Sequence, residues 1–197
     1  MSQKSDLSEG VWIEEIDGQL IKDFAALTSY KDGFVRFQPS GQIFPRGFAS
    51  IQRKVKEFTV REDDIWVVSY PKCGTTWTQE MVWNIVNDLD YVTAKSTDLT
   101  KRVPFLEMSG LVQTEQMETF FPKFGAYIGE EPFSSSLEQA QSKPSPRILK
   151  THLCFDMLPA QLMEKGAKII YVARNPRDAC VSHYLHWKII HGFKGSW

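Results

Sequence analysis

The stretch IWVVSYPKCGTTWTQE, residues 65–80, combines the patterns of a buried strand, a tight turn and a helix start. The run Ile65 to Val68 is apolar, β-rich and too short for a helix, which predicts a strand covered on both faces of a parallel sheet. Pro71 and Gly74 then indicate a sharp turn. A helix is predicted to follow, because apolar residues recur every four positions. They form the lines Trp77, Met81, Ile85 and Val82, Val86.

The turn also has the features of an anion site. Thr76 and Gln79 fit a capping box at the helix start, and Gly74 lets the chain present its amides to a ligand. Free amides at a helix N-terminus favour phosphate or sulfate, and Lys72 adds a full positive charge. An ordinary turn with a solvent-facing lysine is the alternative. Two threonines directly after the glycine favour the anion site.

The spacing argues against three known phosphate loops. A Walker loop needs a second glycine before a Gly-Lys-Ser/Thr end, but here Lys72 precedes the glycine, which disfavours a magnesium-dependent NTPase. A cysteine-based phosphatase loop would need arginine at the position of Gln79. A dinucleotide fingerprint needs three spaced glycines, and Gly74 stands alone.

The composition is that of one globular α/β domain. The 197 residues are 42% hydrophobic and 13% aromatic, enough for a real core. A net charge of −1 gives no overall attraction to nucleic acid or an acidic membrane, so any anion site is local. Cys73, Cys154 and Cys180 are widely spaced, which argues against a disulfide scaffold or a zinc site. The polar N-terminus and the lack of a long apolar run predict a cytoplasmic, soluble protein.

The chain before this stretch is predicted to begin with an extension. Residues 1–30 show no strong period and are interpreted as a partly ordered N-terminal extension, followed by one domain over 31–197. Gly33 to Phe37 alternates like a short edge strand. Phe48 to Phe58 predicts a helix with one apolar face. Its basic residues are interpreted as a solvated side rather than a binding patch: Arg53, Lys54 and Lys56.

Two regions after the first helix lack a clear period. The cluster from Arg102 to Met108 is apolar and held by a proline, and core packing is its simplest interpretation. Residues 109–146 contain several aromatics and end in the Ser/Pro-rich run SSSLEQAQSKPSP. This composition predicts a long lid-like connection rather than a second domain.

A second strand is predicted from Arg147 to His152. Lys150 and His152 lie two positions apart, so on a strand both side chains point to the same face. A structural histidine is the alternative at a strand end, but Lys150 and the loop at Lys72 favour a general base. Neutral imidazole, with a reference pKa of about 6.5, can accept a hydroxyl proton near neutral pH.

A third strand is predicted from Lys168 to Ala173, after a helix from Asp156 to Gly166, which gives a parallel βαβ unit. Asn175 as cap, Pro176 at the first helical position and Asp178 in a capping-box-like pair then predict a helix to about His191. Its buried line is expected to be Val181, Leu185 and Ile189.

Arg174 ends the third strand, where a Walker-type enzyme would carry an aspartate that holds magnesium. Arginine binds phosphate directly, so this position predicts a second anion site and no metal. An ion pair between Arg174 and Asp178 is the structural alternative.

Three motifs occur in one order: YPKCGTTW at 70–77, the segment 147–152, and YVARNPRD at 171–178 with Ser182. Together they resemble the cytosolic sulfotransferases, including the insect branch that contains retinol dehydratase, from about Gly33 onward. The resemblance implies a single α/β domain with a P-loop-like parallel sheet flanked by helices. It also implies 3′-phosphoadenosine 5′-phosphosulfate (PAPS) as donor and no metal.

The resemblance also implies roles for residues at matching positions. His152 would be the base, Lys150 would support the acceptor oxygen, and Lys72 would stabilise the bridging oxygen of the leaving group. The donor would be held by Lys72, Cys73, Gly74, Thr75, Thr76, Trp77, Arg174 and Ser182. The acceptor pocket would be lined by Phe48, Phe105, Met108, Lys150 and His152. Cys73 departs from the family's usual serine, and a thiol is a poorer hydrogen-bond donor.

The implied function is transfer of the sulfuryl group from PAPS to a small apolar acceptor with a hydroxyl, such as a phenol, sterol or retinoid-like alcohol. Relatives continue past the position of Trp197 through a basic segment on the 3′-phosphate. The chain is therefore expected to be C-terminally truncated, with an incomplete family fold and weakened donor affinity. A non-catalytic form that binds nucleotide and apolar ligand is the alternative. Neither nucleic acid nor a membrane is an expected partner, and the oligomeric state stays open.

Overall fold

The computed structural model describes residues 5–8, 10–16, 18–30, 32–111 and 136–195. Its N-terminal part is an antiparallel sheet of four strands in the order β1-β2-β3-β4, with one helix. The strands are β1 (Ser5–Ser8), β2 (Val11–Glu15), β3 (Phe34–Gln38) and β4 (Gln42–Pro45), and the helix is α1 (Gln19–Ala26).

β3 lies inside this sheet, so the expectation of an edge strand at 33–37 is wrong. Arg36 of β3 is opposite Glu14 of β2 on one side and Ile43 of β4 on the other. Of these two neighbours, β2 comes from the N-terminal segment, in which the sequence showed no period. The boundary that separates an extension over 1–30 from a domain stays a prediction.

The basic helix predicted next is confirmed. A 3₁₀ turn (Arg46–Phe48) leads into α2 (Ala49–Lys56). Val55 is buried against the core, whereas Arg53 and Lys54 are exposed. These two basic side chains lie on the solvent side, as the apolar pattern of the helix predicted. Lys56, expected with them, is instead half-buried and donates a 3.1 Å hydrogen bond to the carbonyl of Leu158.

The second part of the fold is a parallel sheet of three strands in the order β6-β5-β7. The central strand is β5 (Ile65–Ser69), and β6 (Ile148–Thr151) and β7 (Lys168–Val172) pair with it in parallel. All residues of β5 are buried, as its apolar run predicts. Among the described strands β7 is an outer one, and its Ile169 and Tyr171 are exposed. The parallel α/β fold expected from the sequence is confirmed, whereas no sequence pattern predicted the antiparallel sheet.

The helices that follow in the described residues are mostly short. They are α3 (Thr75–Val86), α4 (Tyr91–Ser96), α5 (Leu99–Arg102), α6 (Met108–Leu111), α7 (Ser136–Ser142), α8 (Gln161–Glu164) and α9 (Pro176–Ile190). Residues 112–135, which form much of the predicted lid, lie outside the described residues. Within the described ranges, none of the helices is at once long and apolar enough to cross a bilayer.

The single helix predicted over 156–166 is wrong. A 3₁₀ turn (Phe155–Met157) and α8 take its place. Between them Leu158 is extended, with φ −75° and ψ 161°, because the residue before Pro159 is kept out of the helical region. A proline inside an apolar run therefore divides the segment into two short pieces.

The line predicted to be buried on α9 faces outward, so that expectation is wrong, and of the two apolar lines predicted on α3 the one that begins at Trp77 also faces outward. Trp77 on α3 is 78% exposed and Leu185 on α9 is 51% exposed. The other members are also at least half exposed: Met81, Ile85, Val181 and Ile189. Each helix turns a different side inward, where Val82 of α3 and Ala179 of α9 are buried. Periodicity predicts which residues share a face, but not whether another element covers it.

The core has two layers, one on each face of the parallel sheet. Trp66 and Val68 of β5 belong to an apolar cluster with the antiparallel sheet and α2. Ile65 and Val67 belong to a second cluster with Val82 and its neighbours on α3. Alternate residues of a strand point to opposite faces, so β5 joins the two layers.

The packing of α6 makes Gly110 a test of the first layer. A Cβ atom at Gly110 would lie 2.7 Å from two side-chain carbons of Ile51 and 3.0 Å from Cα of Phe48. Gly110→Ala should therefore lower the free energy of unfolding by about 1–3 kcal/mol through overpacking. Urea denaturation measures this loss. Gly47→Ala is the control, because its nearest contact would be 3.4 Å, and equal losses in the two variants would contradict the prediction.

Candidate active site

The three sequence motifs meet at one edge of the parallel sheet. β5, β6 and β7 run in the same direction, so their carboxyl ends lie side by side, where open α/β sheets bind ligands. Lys72 follows β5, His152 follows β6, and Arg174 follows β7. The sheet thus brings together the residues on which the predicted site depends.

The loop between β5 and α3 turns through two left-handed residues. Lys72 has φ 67° and Gly74 has φ 103°. Glycine adopts such angles freely, but lysine does so rarely, and strained backbone of this kind occurs at functional sites. Gly74 is the N-cap of α3, and no side chain in the described part of the chain caps the helix. The N-terminal amides of α3 therefore make a positive end suited to an anion.

The capping box predicted at Thr76 and Gln79 does not form. A capping box of these two residues needs Thr76 at the N-cap position. Gly74 occupies that position instead, so α3 begins earlier, and Gln79 is buried. Thr75 is also buried, and its hydroxyl hydrogen-bonds the hydroxyl of Ser69 at the end of β5. This bond ties the start of α3 to the end of the central strand.

Arg174 directly contacts the loop between β5 and α3, which we call the anion loop. Its Nη1 donates a 3.2 Å hydrogen bond to the carbonyl oxygen of Lys72. Among the described residues it forms no ion pair with Asp178, which was the structural alternative. Asn175 accepts a hydrogen bond from the amide of Arg177, as its predicted cap role requires. The guanidinium of Arg174 therefore contacts the loop that carries Lys72.

A groove of about 510 Å³ opens beside this loop. Its lining includes Tyr70 and Cys73 of the loop, Arg174 after β7, and Cys180 and His183 of α9. Neither Lys150 nor His152 lines this groove. It therefore offers space for a ligand next to Arg174, apart from the candidate base.

His152 is held in one tautomer. Its Nδ1 lies 2.7 Å from the carbonyl oxygen of Ser69. A carbonyl oxygen can only accept, so Nδ1 carries the proton and Nε2 is the nitrogen with a free lone pair. Burial lowers the pKa of His152 to about 3, the positive charge of Lys150 lowers it too, and the bond to Ser69 opposes both. The ring is therefore neutral at physiological pH.

Phe105 joins the histidine to a lysine. The Phe105 ring meets the His152 ring edge-on, with centroids 5.2 Å apart. The ammonium of Lys150 lies 3.8 Å from the centre of the same Phe105 ring, a cation–π contact. Burial lowers the pKa of Lys150 to about 8, the carboxylate of Glu107 raises it, and the charge of Lys72 lowers it. Lys72, Lys150 and His152 therefore interact within one site.

Phe48 lies apart from this cluster. It is fully buried between Phe37 and Phe44, whose ring centroids are 5.1 and 4.8 Å from its own. Met108 begins α6, which packs against the turn that carries Phe48. Of the aromatic residues predicted for the acceptor pocket, the structure places Phe105 against Lys150 and His152.

The remaining predicted donor residues are spread around the loop. Trp77 is largely exposed on the first turn of α3, and Cys73 is buried in the loop. Ser182 is half-buried on α9 and does not line the groove that Arg174 lines. The structure places Arg174 in contact with the loop and leaves Ser182 outside the groove.

Two further residues of the site were missed by the sequence patterns. Ser69 positions the His152 ring through its carbonyl, which a sequence cannot reveal. Glu107 is fully buried and accepts a hydrogen bond from the amide of His152. An acid within the apolar run VPFLEM was the available signal, because buried acids are rare unless they are paired.

Comparisons with known proteins agree on one family. The family model described as the sulfotransferase domain matches residues 62–196. Luciferin sulfotransferase of Photinus pyralis is 39% identical over 153 residues, which are 75% of this chain and 39% of that protein. Sulfotransferase 1 family member D1 of Mus musculus is 36% identical over 146 residues, 73% of this chain and 43% of that protein. The chain spans about two fifths of the length of these curated relatives.

Two solved structures of retinol dehydratase share the fold. The complex with androsterone and the inactive cofactor PAP matches with a TM-score of 0.76 and 26% identity, over 94% of this chain and 58% of that chain. The complex with retinol and PAP matches with a TM-score of 0.77 and 25% identity over the same shares. Both neighbours hold a nucleotide and a small apolar ligand.

Proposed function

Because the chain belongs to the sulfotransferase family, we propose that it transfers the sulfuryl group of PAPS to the hydroxyl of a small apolar acceptor. A phenol, a sterol or a retinoid-like alcohol fits this description. One observation carries the proposal: the amides at the start of α3 and the free Nε2 lone pair of His152 lie at the same edge of the sheet. An anion and a hydroxyl could meet there.

The residues present fit an anionic donor. Uncapped amides at the start of α3, the ammonium of Lys72 and the guanidinium of Arg174 are all groups that bind phosphate or sulfate. The donor would be held by Lys72, Cys73, Gly74, Thr75, Thr76, Trp77, Arg174 and Ser182. When bound, PAPS would supply an activated sulfuryl group with a phosphate as leaving group.

His152 would accept the proton of the acceptor hydroxyl at Nε2, while the bond from Nδ1 to Ser69 keeps the ring in place. The ammonium of Lys150 would stabilise the acceptor oxygen as it loses that proton. Lys72 would stabilise negative charge on the leaving phosphate. The Phe105 ring would give the acceptor an apolar wall beside the base, with Phe48 and Met108 as the more distant proposed members of the pocket.

Lys72→Ala should weaken the binding of adenosine 3′,5′-bisphosphate (PAP) at least tenfold. Hydrogen bonds to charged groups contribute about 1.5–3 kcal/mol, and a tenfold change corresponds to about 1.4 kcal/mol. A titration with PAP, followed by the amide resonances of Gly74 and Thr75, measures this change even when binding is weak. Lys54→Ala removes an exposed lysine on α2 and is the matched control. Resonances that do not move in the parent chain would refute the anion site.

A transfer assay with labelled PAPS and a mixed panel of phenols, sterols and retinoid-like alcohols tests the reaction itself. Sustained formation of a sulfated product supports the proposed enzyme. The mass of the product separates simple transfer from transfer followed by elimination. Binding of PAP without any product would identify the alternative, a non-catalytic form that binds nucleotide and apolar ligand.

A further inference from the structure

Glu107 is a buried acid to which the reaction steps proposed above assign no role. It is 0% exposed and lies at the end of a segment that runs beside β6. Its Oε2 has no hydrogen-bond partner in the described part of the chain. Burial raises the pKa of Glu107 and the hydroxyl of Thr151 lowers it, but this hydroxyl makes no hydrogen bond to Oε2. A buried acid in such a position is unfavourable unless its charge is balanced.

The main chain before Glu107 extends the parallel sheet at its β6 side. The amide of Lys150 donates to the carbonyl of Pro104, and the amide of Leu106 donates to the carbonyl of Lys150, both at 3.0 Å. Glu107 then continues this ladder with its side chain, because its Oε1 accepts a 2.6 Å hydrogen bond from the amide of His152. The carboxylate therefore replaces a main-chain partner where β6 ends.

Lys150 is the cation next to Glu107 in the fold, because Phe105, two residues before Glu107, pairs with Lys150 in the sheet and its ring lies 3.8 Å from the ammonium of Lys150. Burial raises the pKa of Glu107 to about 7, and the charge of Lys150 opposes that rise. Burial lowers the pKa of Lys150 to about 8, and the charge of Glu107 opposes that fall. Each group therefore favours the charged form of the other, while the like charge of Lys72 disfavours the ammonium of Lys150.

We propose that Glu107 is a positioning residue that acts through two neighbours. Its Oε1 fixes the main chain of His152, and its negative charge keeps Lys150 in the ammonium form. The proposal rests on the proposed sulfuryl transfer for its catalytic meaning, because Lys150 would support the acceptor oxygen and His152 would take its proton. Both parts can be measured without donor or turnover, so their failure is distinct from failure of the reaction.

Other titratable groups face this pair from the neighbouring elements. Besides burial, the charge of Lys72, on the loop between β5 and α3, lowers the pKa of Lys150, and His183 and His186 of α9 lower the pKa of His152. Burial and the charge of Lys72 lower the pKa of His183. The same two effects lower the pKa of His186 to about 4. Both histidines are therefore neutral at the pH at which Lys150 loses its proton, so their titration does not overlap with that of Lys150.

Glu107→Gln keeps an oxygen for the His152 amide and removes the charge. The Cε resonance of Lys150, assigned with Lys150→Arg in protein labelled with ¹³C-lysine, should titrate near pH 8 in the parent chain. Its midpoint should fall by about one pH unit in the variant, because the ammonium loses its counter-charge. Glu164→Gln removes an exposed acid on α8 and should leave the midpoint unchanged. An equal midpoint in Glu107→Gln and the parent would overturn the charge role.

Glu107→Asp keeps the charge and shortens the reach to His152. Hydrogen exchange at the His152 amide should become about tenfold faster, because that amide loses its acceptor. The Lys150 midpoint should stay near that of the parent. Unchanged exchange would overturn the role in fixing His152. Circular dichroism checks that each variant folds, and if Glu107→Gln does not fold, Glu107→Asp decides the proposal.

The rate of transfer gives a further readout that a purely structural role would not move. In Glu107→Gln the ammonium of Lys150 is lost at lower pH, so transfer should fall roughly tenfold at pH 8.5. At pH 6 Lys150 is protonated in both proteins, so the variant should regain most of the parent's rate. A loss of equal size at both pH values would show a structural defect instead.

Discussion

His152→Ala should lower the rate of sulfuryl transfer by about 10²–10⁴-fold and leave PAP binding unchanged. The lone pair on Nε2 is the group that would take the acceptor's proton, and the donor would be held by the loop and α3 rather than by the imidazole. Imidazole added to the buffer should restore part of the rate, because it can enter the space left by the side chain. Undiminished turnover would remove His152 as the base.

The pH profile of the parent chain provides a second check on the base. Burial and the charge of Lys150 lower the pKa of His152 to about 3, so the ring stays neutral as the pH falls from 8 to 5. Protonation of the base should therefore not slow transfer in this interval. A loss of rate centred near pH 6.5 would instead indicate an ordinary, exposed histidine.

Arg147→Leu should lower the free energy of unfolding by about 3–5 kcal/mol, because it leaves Asp64 as an unpaired buried charge. Nε and Nη2 of Arg147 donate to the two carboxylate oxygens of Asp64 at 2.7 and 2.6 Å, and both side chains are 0% exposed. Nη2 also donates to the carbonyl of Thr59. The pair stands where β5 and β6 begin, and the amide of Ile65 donates to the carbonyl of Arg147.

Two further variants make this measurement specific. Arg46→Leu breaks the pair between Arg46 and Glu15, which also has short contacts but is partly exposed, so its loss should be at most about 1 kcal/mol. Changing Asp64 and Arg147 together to apolar residues should recover part of the stability, since no charge then remains buried. Urea denaturation compares all variants, and equal losses for Arg147→Leu and Arg46→Leu would contradict the prediction.

The sequence was sufficient to predict the elements that carry the site. β5 is a continuous apolar run between polar residues, and Gly74 marks the turn after it, so strand, loop and helix could be predicted from local chemistry. Lys150 and His152 were expected to share a face of one strand, and both meet the Phe105 ring. Such features depend on neighbours along the chain, which a sequence shows directly.

The features that were missed depend on neighbours far apart in the chain. β2 pairs with β3, although its own residues show no clear alternation, because the pairing is decided by the sheet as a whole. The outward faces of α3 and α9 have the same spacing as buried ones. Glu107 was hidden within an apolar cluster, and its contact with His152 joins segments 45 residues apart. The sequence prediction therefore failed where contacts join residues that are far apart in the chain.

The outer position of β7 bears on how the purified protein behaves in storage. β7 pairs with β5 on one side, and in the described part of the chain its other edge carries no strand. The strand also carries two exposed apolar side chains, Ile169 and Tyr171. Exposed apolar side chains on an outer strand favour contacts between molecules. Concentrated solutions should therefore become turbid with time, and dilution should extend the shelf life of the protein.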